Sequence, residues 1–224
     1  MDMKQFTHVA LDEKFSNLKT TNENGQRYYE TPEGFYPSVT TVTGWEKKNF
    51  FAKWRRDNPK ESRRVLNRGN KLHSLIEEYI DNNLDPNSGI DLPILDLFLQ
   101  LQPELNNIDS IFAQEIPLWS STLELAGRVD CVGEYNGKLS SIDFKGSTKT
   151  KRKSDIENYF MQATAYAIMW QEMTGISINN IVIMIATEAG NCQVFEANPI
   201  DYVKPLLKAI RSYQKEFAIN NESC

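Results

Sequence analysis

Residues 127–147, GRVDCVGEYNGKLSSIDFKGS, decide the fold. Two apolar runs flank Asn136-Gly137, a dipeptide that favours a type I′ turn because both residues tolerate positive φ. The stretch therefore predicts an antiparallel hairpin. Set into those runs are Asp130, Asp143 and Lys145, although an unpaired carboxylate is costly inside a strand. With Asn136-Gly137 as the loop, Tyr135 faces Lys138 and Asp130 falls opposite Asp143, with Cβ atoms about 5 Å apart. Lys145, two residues on, shares the face of Asp143. Two carboxylates and an ammonium on one sheet face suit a divalent cation such as Mg²⁺, which takes one or two carboxylates plus water and phosphate oxygens. A lysine there can orient or deprotonate an attacking water and offset charge on a phosphate. A structural Asp143–Lys145 ion pair on a solvated face accounts for the same spacing. Against it, Val129, Val132, Ile142 and Phe144 make both strands look buried.

Outward from the hairpin, IFAQEIPLWS (111–120) reads as a strand before it. After it, SDIENYFMQATAYAIMWQEMTG (154–175) has helical periodicity, with a capping box expected from Ser154 and Glu157 and a stop at Gly175. INNIVIMIATE (178–188) reads as a strand buried on both faces. NCQVFEA pairs beside it, and a helix runs from about 200 to 217. Upstream, residues 1–40 are turn-rich, with islands such as RYYE and GFYPSV, and suggest short strands or an extended arm. Residues 41–106 read as helical, in segments near 43–56, 61–82 and 91–105, broken by a loop at Pro86, Ser88 and Gly89. The simplest packing of this order is one α/β domain over 1–224, a mixed central sheet flanked by helices, with 107–224 as its core.

The 224 residues are 40% apolar, enough for a substantial core. No apolar run approaches the roughly 20 residues a bilayer needs, and no signal pattern opens the sequence, so no membrane partner is expected. Cys131, Cys192 and Cys224 are scattered and odd in number. That argues against a disulfide framework, a zinc site or an iron–sulfur cluster and favours a reducing compartment, the cytoplasm. The net charge of −5 hides an uneven distribution. Residues 47–71 hold ten basic side chains against two acids, and 145–153 hold five against none. These segments carry +13 together, so the remainder carries −18. An acidic chain with two basic segments suits a polyanion binder with a localised track, though solvated helix and loop faces produce the same count. GEYNGKLS lacks the P-loop spacing, so no ATP motor is encoded.

GRVD, IDFK thirteen residues later, and a helix carrying QATAY resemble the PD-(D/E)xK nucleases of the RecB-like exonuclease branch, which includes mitochondrial genome maintenance exonucleases and phage exonucleases. YPSVTTVTG and RGNKLHSLIEEY extend the likeness from about residue 36 to the C-terminus. The resemblance implies a restriction-endonuclease-like fold. It also implies a Mg²⁺- or Mn²⁺-dependent DNA exonuclease acting on single strands or DNA ends, with a role in phage recombination or DNA degradation, in the host cytoplasm if the source is viral. It makes Asp130 and Asp143 metal ligands, with the Phe144 carbonyl, His73 and, more weakly, Glu77 beside them. Lys145 becomes the catalytic lysine, and Gln162 and Tyr166 face the active site. Ser38 and Thr40 lie near the nucleic acid, and Gly69 lets the backbone approach a neighbour or a phosphate. Arg68, Lys149 and Lys151 of the basic segments, with Ser147, are the candidate DNA contacts. Trp45, Phe50, Phe51 and Trp54 are candidates to stack bases, half of them expected under the helix instead. The helices before His73 are expected to form an arch over a strand. A catalytically inactive DNA-binding module and a structure-selective endonuclease stand as alternatives.

Overall fold

A computed structural model describes residues 3–10, 15 and 17–222, with side chains described to 216. The elements are β1 (Thr7–His8), β2 (Lys19–Glu23), β3 (Gln26–Thr31), β4 (Gly34–Pro37), α1 (Val39–Thr43), α2 (Lys48–Asp57), α3 (Pro59–Ile80), α4 (Leu92–Leu105), β5 (Ile108–Ser120), β6 (Leu125–Tyr135), β7 (Lys138–Ser147), α5 (Glu157–Thr174), β8 (Asn180–Thr187), β9 (Cys192–Ala197) and α6 (Ile200–Glu222). The central sheet has the order β1-β5-β6-β7-β8-β9, and β2-β3-β4 form a separate small sheet. β5, β6 and β7 are antiparallel, β7 and β8 parallel, β8 and β9 antiparallel. The mixed sheet flanked by helices is that of the restriction-endonuclease-like fold.

The hairpin forms as its turn requires. Asn136 and Gly137 have φ of 49° and 73°, the two positive values of a type I′ turn, and Tyr135 pairs with Lys138. Every residue of β8 is buried, because both faces are covered. Ile181, Ile183 and Ile185 join the core under α1, α5 and α6, with Val42, Phe160, Trp170 and Leu206. Val182, Met184 and Ala186 join the core under α3 and α4, with Leu72, Ile76, Phe98 and Leu101. Ile142 and Phe144 of β7 also belong to that second core. By strand alternation Asp143 and Lys145 face α5, and the Lys145 ammonium lies 5.3 Å from the centre of the Tyr159 ring.

Some local expectations are corrected. The Ser154–Glu157 capping box does not form: α5 starts after Ile156, which makes no side-chain cap. The Asp155 carboxylate instead accepts from the Arg152 amide at 3.1 Å and closes a short 3₁₀ turn at Lys153–Asp155. The helix expected near 61–82 begins earlier, at Pro59, a residue pre-organised for a first turn. Cys131 and Cys192 are free thiols, while Cys224 lies outside the described residues. No described helix is long and apolar enough to cross a membrane.

Candidate active site

β6 and β7 part company at the acids. Their pairing runs from Tyr135↔Lys138 to Cys131↔Ile142 and stops there, one step short of Asp130 and Asp143. Beyond that point β6 stays with β5 and β7 stays with β8, so the sheet forks. The Asp130 carboxylate bridges the fork, its Oδ2 accepting from the Phe144 amide at 2.9 Å. In a strand the N–H and C=O of one residue point to the same side, so the Phe144 carbonyl is directed toward the fork as well.

A third acid completes the row, and sequence reasoning missed it. Gln114 pairs with Cys131 and Ile116 with Val129, which sets Glu115 opposite Asp130 on its other side. Glu115 has φ of 49°, a left-handed conformation uncommon for a residue with a side chain, and β5 carries irregular register just before it. The Arg128 guanidinium donates to the Glu115 carbonyl and supports this bend. One atom each of His73, Glu115 and Asp130 lie within 4.8 Å of one another. His73 Nδ1 is 3.7 Å from Asp130 Oδ2 and 3.9 Å from Glu115 Oε1, beyond hydrogen-bond reach. Burial opposes the charged imidazole, but Asp130 and Glu115 outweigh it and raise the His73 pKa.

Asp143 is 2% exposed. Its Oδ1 accepts from Lys145 Nζ at 2.5 Å, while the buried Oδ2 has no partner. Burial pushes this carboxyl up and Lys145 pulls it back. The same burial disfavours the Lys145 ammonium, yet Asp143 and Asp130 overcome it and hold the lysine charged. A buried carboxylate oxygen with no partner, next to like-charged carboxylates, is costly without a cation. The oxygen and imidazole donors present fit a divalent metal. Glu77 is exposed on the rim of the same cleft, outside the His73–Glu115–Asp130 group.

α5 closes the cleft from the other face. Gln162 and Tyr166 are 7% and 3% exposed and line it. Burial pushes the Tyr166 hydroxyl well above its ordinary pKa, so it stays a donor. Gly127 makes room for it: a Cβ there would lie 2.8 Å from Tyr166 Oη and 2.9 Å from its ring carbon Cε1. Gly127→Ala is therefore expected to displace Tyr166, lowering stability by about 1–3 kcal/mol, read as a fall of several degrees in Tm, with activity reduced. An unchanged Tm and full activity would show that the ring moves aside freely.

The remaining candidates divide. Ser38 and Thr40 line the cleft with Arg27, Tyr29, Asn70 and Arg128, four residues without a local signal in the sequence. Ser38 caps α1 through the Thr41 amide at 3.1 Å. Arg68 does not line the cleft; it is 6% exposed and paired with Glu188. A Cβ on Gly69 would meet nothing within 4 Å, so no protein neighbour presses on that backbone. The Ser147 hydroxyl donates to the Lys149 carbonyl at 2.6 Å, closing a turn, and the Lys151 backbone is tied to Gln193. Among the aromatics only Trp45 is buried, Trp54 is half-buried, and Phe50 and Phe51 are exposed, so fewer lie under the helix than the half expected.

Carboxylates, an imidazole and an ammonium are gathered at the fork of the sheet. Residues 95–212 match the PD-(D/E)XK nuclease superfamily, and the chain belongs to that superfamily. It is 31% identical over 87 residues to mitochondrial genome maintenance exonuclease 1 of Mus musculus. That match covers 39% of this chain and 26% of the relative, so the chain spans about a quarter of it. A crystal structure from Eubacterium rectale assigned as an exonuclease shares the fold. Its TM-score is 0.50 at 11% identity, over 68% of this chain and 65% of that one.

Proposed function

We propose that the protein is a divalent-metal-dependent deoxyribonuclease that removes nucleotides from the ends of single-stranded DNA. One observation carries the reading: the buried, half-unpartnered Asp143 beside Lys145, at a fork bridged by Asp130. Asp130, Asp143, Glu115 and His73, with the Phe144 carbonyl, would hold the cation. Bound there, it would supply an acidified water and offset charge on the phosphate. Lys145 keeps its proton against Asp143 and presents positive charge to the developing oxyanion. Gln162 and Tyr166 orient the phosphate from α5, and Arg27 and Arg128 hold its neighbours along the backbone.

The preference for unpaired strands is supported by α2. No described residue of it is buried. Phe50 and Phe51 meet edge to face at 5.4 Å with 68% and 44% of their surfaces exposed. About half of the basic segment around them is neutralised, through Lys48–Glu216, Arg56–Asp57, Arg64 with Glu61 and Glu188, Arg68–Glu188, and Lys71–Asp91. Lys47, Lys53, Arg55, Lys60 and Arg63 make no ion pair among the described residues and remain available to phosphates. Exposed aromatics among free cations are a platform for splayed bases.

Digestion of end-labelled linear single-stranded DNA, its circular form, duplex DNA and RNA, with Mg²⁺, Mn²⁺ or EDTA, tests the proposal. Linear strands should be degraded only with metal, and circles spared. Replacing both Phe50 and Phe51 by alanine should weaken single-strand binding by about 1–3 kcal/mol, roughly 5- to 150-fold, with the salt dependence unchanged. Equal cutting of circles would point to an endonuclease, preferred cutting of RNA would remove the deoxyribonuclease reading, and binding without cutting under any metal would leave a DNA-binding module.

A further inference from the structure

Arg68 sits on α3 between Leu66 and Asn70, which line the cleft, yet its own side chain is buried away from it. Its Nη2 donates to the Gly146 carbonyl at 3.1 Å, and its Nη1 pairs with Glu188. The backbone amide of that same Glu188 donates to the Ser147 carbonyl at 2.9 Å. Arg68 and Glu188 thus grip consecutive carbonyls of β7, directly after Lys145. Gly146 places no side chain between them. A Cβ there would lie 3.3 Å from Leu72 Cδ2 and 3.5 Å from Arg68 Nε, so Arg68 and Leu72, one helical turn apart, bed down on the bare glycine. The next residue along the helix is His73.

We infer that Arg68 is a positioning residue: with Leu72 it seats α3 on Gly146 and sets His73 relative to the carboxylates of β6 and β7. A guanidinium buried to this degree and already committed to a carboxylate and a carbonyl is not presented to a phosphate. A cation taken out of water is retained only where its partners are fixed. Here the partners are the Gly146 carbonyl, directly after Lys145, and the Glu188 carboxylate in the loop that follows β8. The seat is local and short, so a displacement of α3 at Gly146 passes to His73 within about 8 Å of helix.

The inference rests on the metal site proposed above, and the test separates the two. Mn²⁺ binding to the metal-free 224-residue chain is followed by electron paramagnetic resonance without DNA, for wild type, Arg68→Met, Arg68→Lys and Gly146→Ala. Separately, single-stranded DNA binding is measured against salt in EDTA. Arg68→Met should weaken Mn²⁺ binding by about 10- to 100-fold, as supporting residues around metal ligands do, and Gly146→Ala, whose Cβ crowds only the end of Leu72, should weaken it in the same direction by less. Arg68→Lys, which keeps the charge but not the forked geometry, should fall between wild type and Arg68→Met. The salt slope of DNA binding should not change. If Arg68→Met does not fold, Gly146→Ala still reads the seat, because it keeps the Arg68–Glu188 pair intact. Wild type that binds no Mn²⁺ overturns the metal site and the inference with it. Wild type that binds, with variants that bind equally well, overturns the inference alone. A salt slope reduced by about one phosphate contact, with Mn²⁺ affinity intact, makes Arg68 a DNA contact and overturns it as well.

Discussion

Lys145→Ala is expected to slow metal-dependent cleavage of linear single-stranded DNA by about 10²- to 10⁴-fold. Two losses coincide. The ammonium that would face the phosphate disappears, and Asp143 loses the charge 2.5 Å from its Oδ1 that offsets its burial. With burial unopposed, the Asp143 carboxyl retains its proton more strongly and becomes a poorer ligand. Lys145→Arg should not rescue, because a planar guanidinium on a longer stem does not reproduce a point charge against a carboxylate in a side chain only 20% exposed. Binding of single-stranded DNA in EDTA should change little, since the lysine is already engaged. Single-turnover cleavage at saturating metal, compared with binding in EDTA, separates the effects. Cleavage within a few-fold of wild type would remove Lys145 from the chemistry.

Glu115→Gln carries the second large effect. The substitution keeps side-chain volume and the left-handed backbone of the bend while removing one negative charge from the His73–Glu115–Asp130 group. Mn²⁺ affinity and cleavage should both fall by at least about 10²-fold, as a ligand should cost no less than the groups that support it. The matching change at Glu77, on the cleft rim, should have a much smaller effect. Both variants can be followed by Mn²⁺ titration and by activity at several metal concentrations. A Glu115→Gln protein with unaltered Mn²⁺ affinity would show that His73 and Asp130, with Asp143, suffice.

These two residues mark the limit of what was legible beforehand. Asp143 and Lys145 could be read because the Asn136-Gly137 turn dictates register locally, and charges inside apolar strand runs are conspicuous. Glu115 could not: an acid in IFAQEIPLWS is ordinary on a half-exposed strand. Its role depends on an irregularity in β5 and on register across a second strand pair. Arg27 and Arg128 were illegible for the same reason, since they line the cleft of the acids only when the small N-terminal sheet and the β5 bend are in place. The basic segments posed a different difficulty. Counting cations could not reveal that Lys48, Arg64, Arg68 and Lys71 find acids as distant as Glu188 and Glu216.

The sequence by itself determined the elements that depend on neighbours in the chain. Those were the type I′ hairpin, the doubly buried β8, the stop of α5 at Gly175, and the shared face of Asp143 and Lys145; the expected pairing of Asp130 with Asp143 does not form, because the ladder stops at Cys131 and Ile142. Turn dihedrals and side-chain periodicity are properties of a few consecutive residues. Only the tertiary structure decided that the β6–β7 ladder ends at the acids, that Glu115 joins them, and that Arg68 faces inward. Each of those outcomes follows from the placement of groups far apart in the chain, where burial and charge are set jointly by several elements rather than by any one stretch.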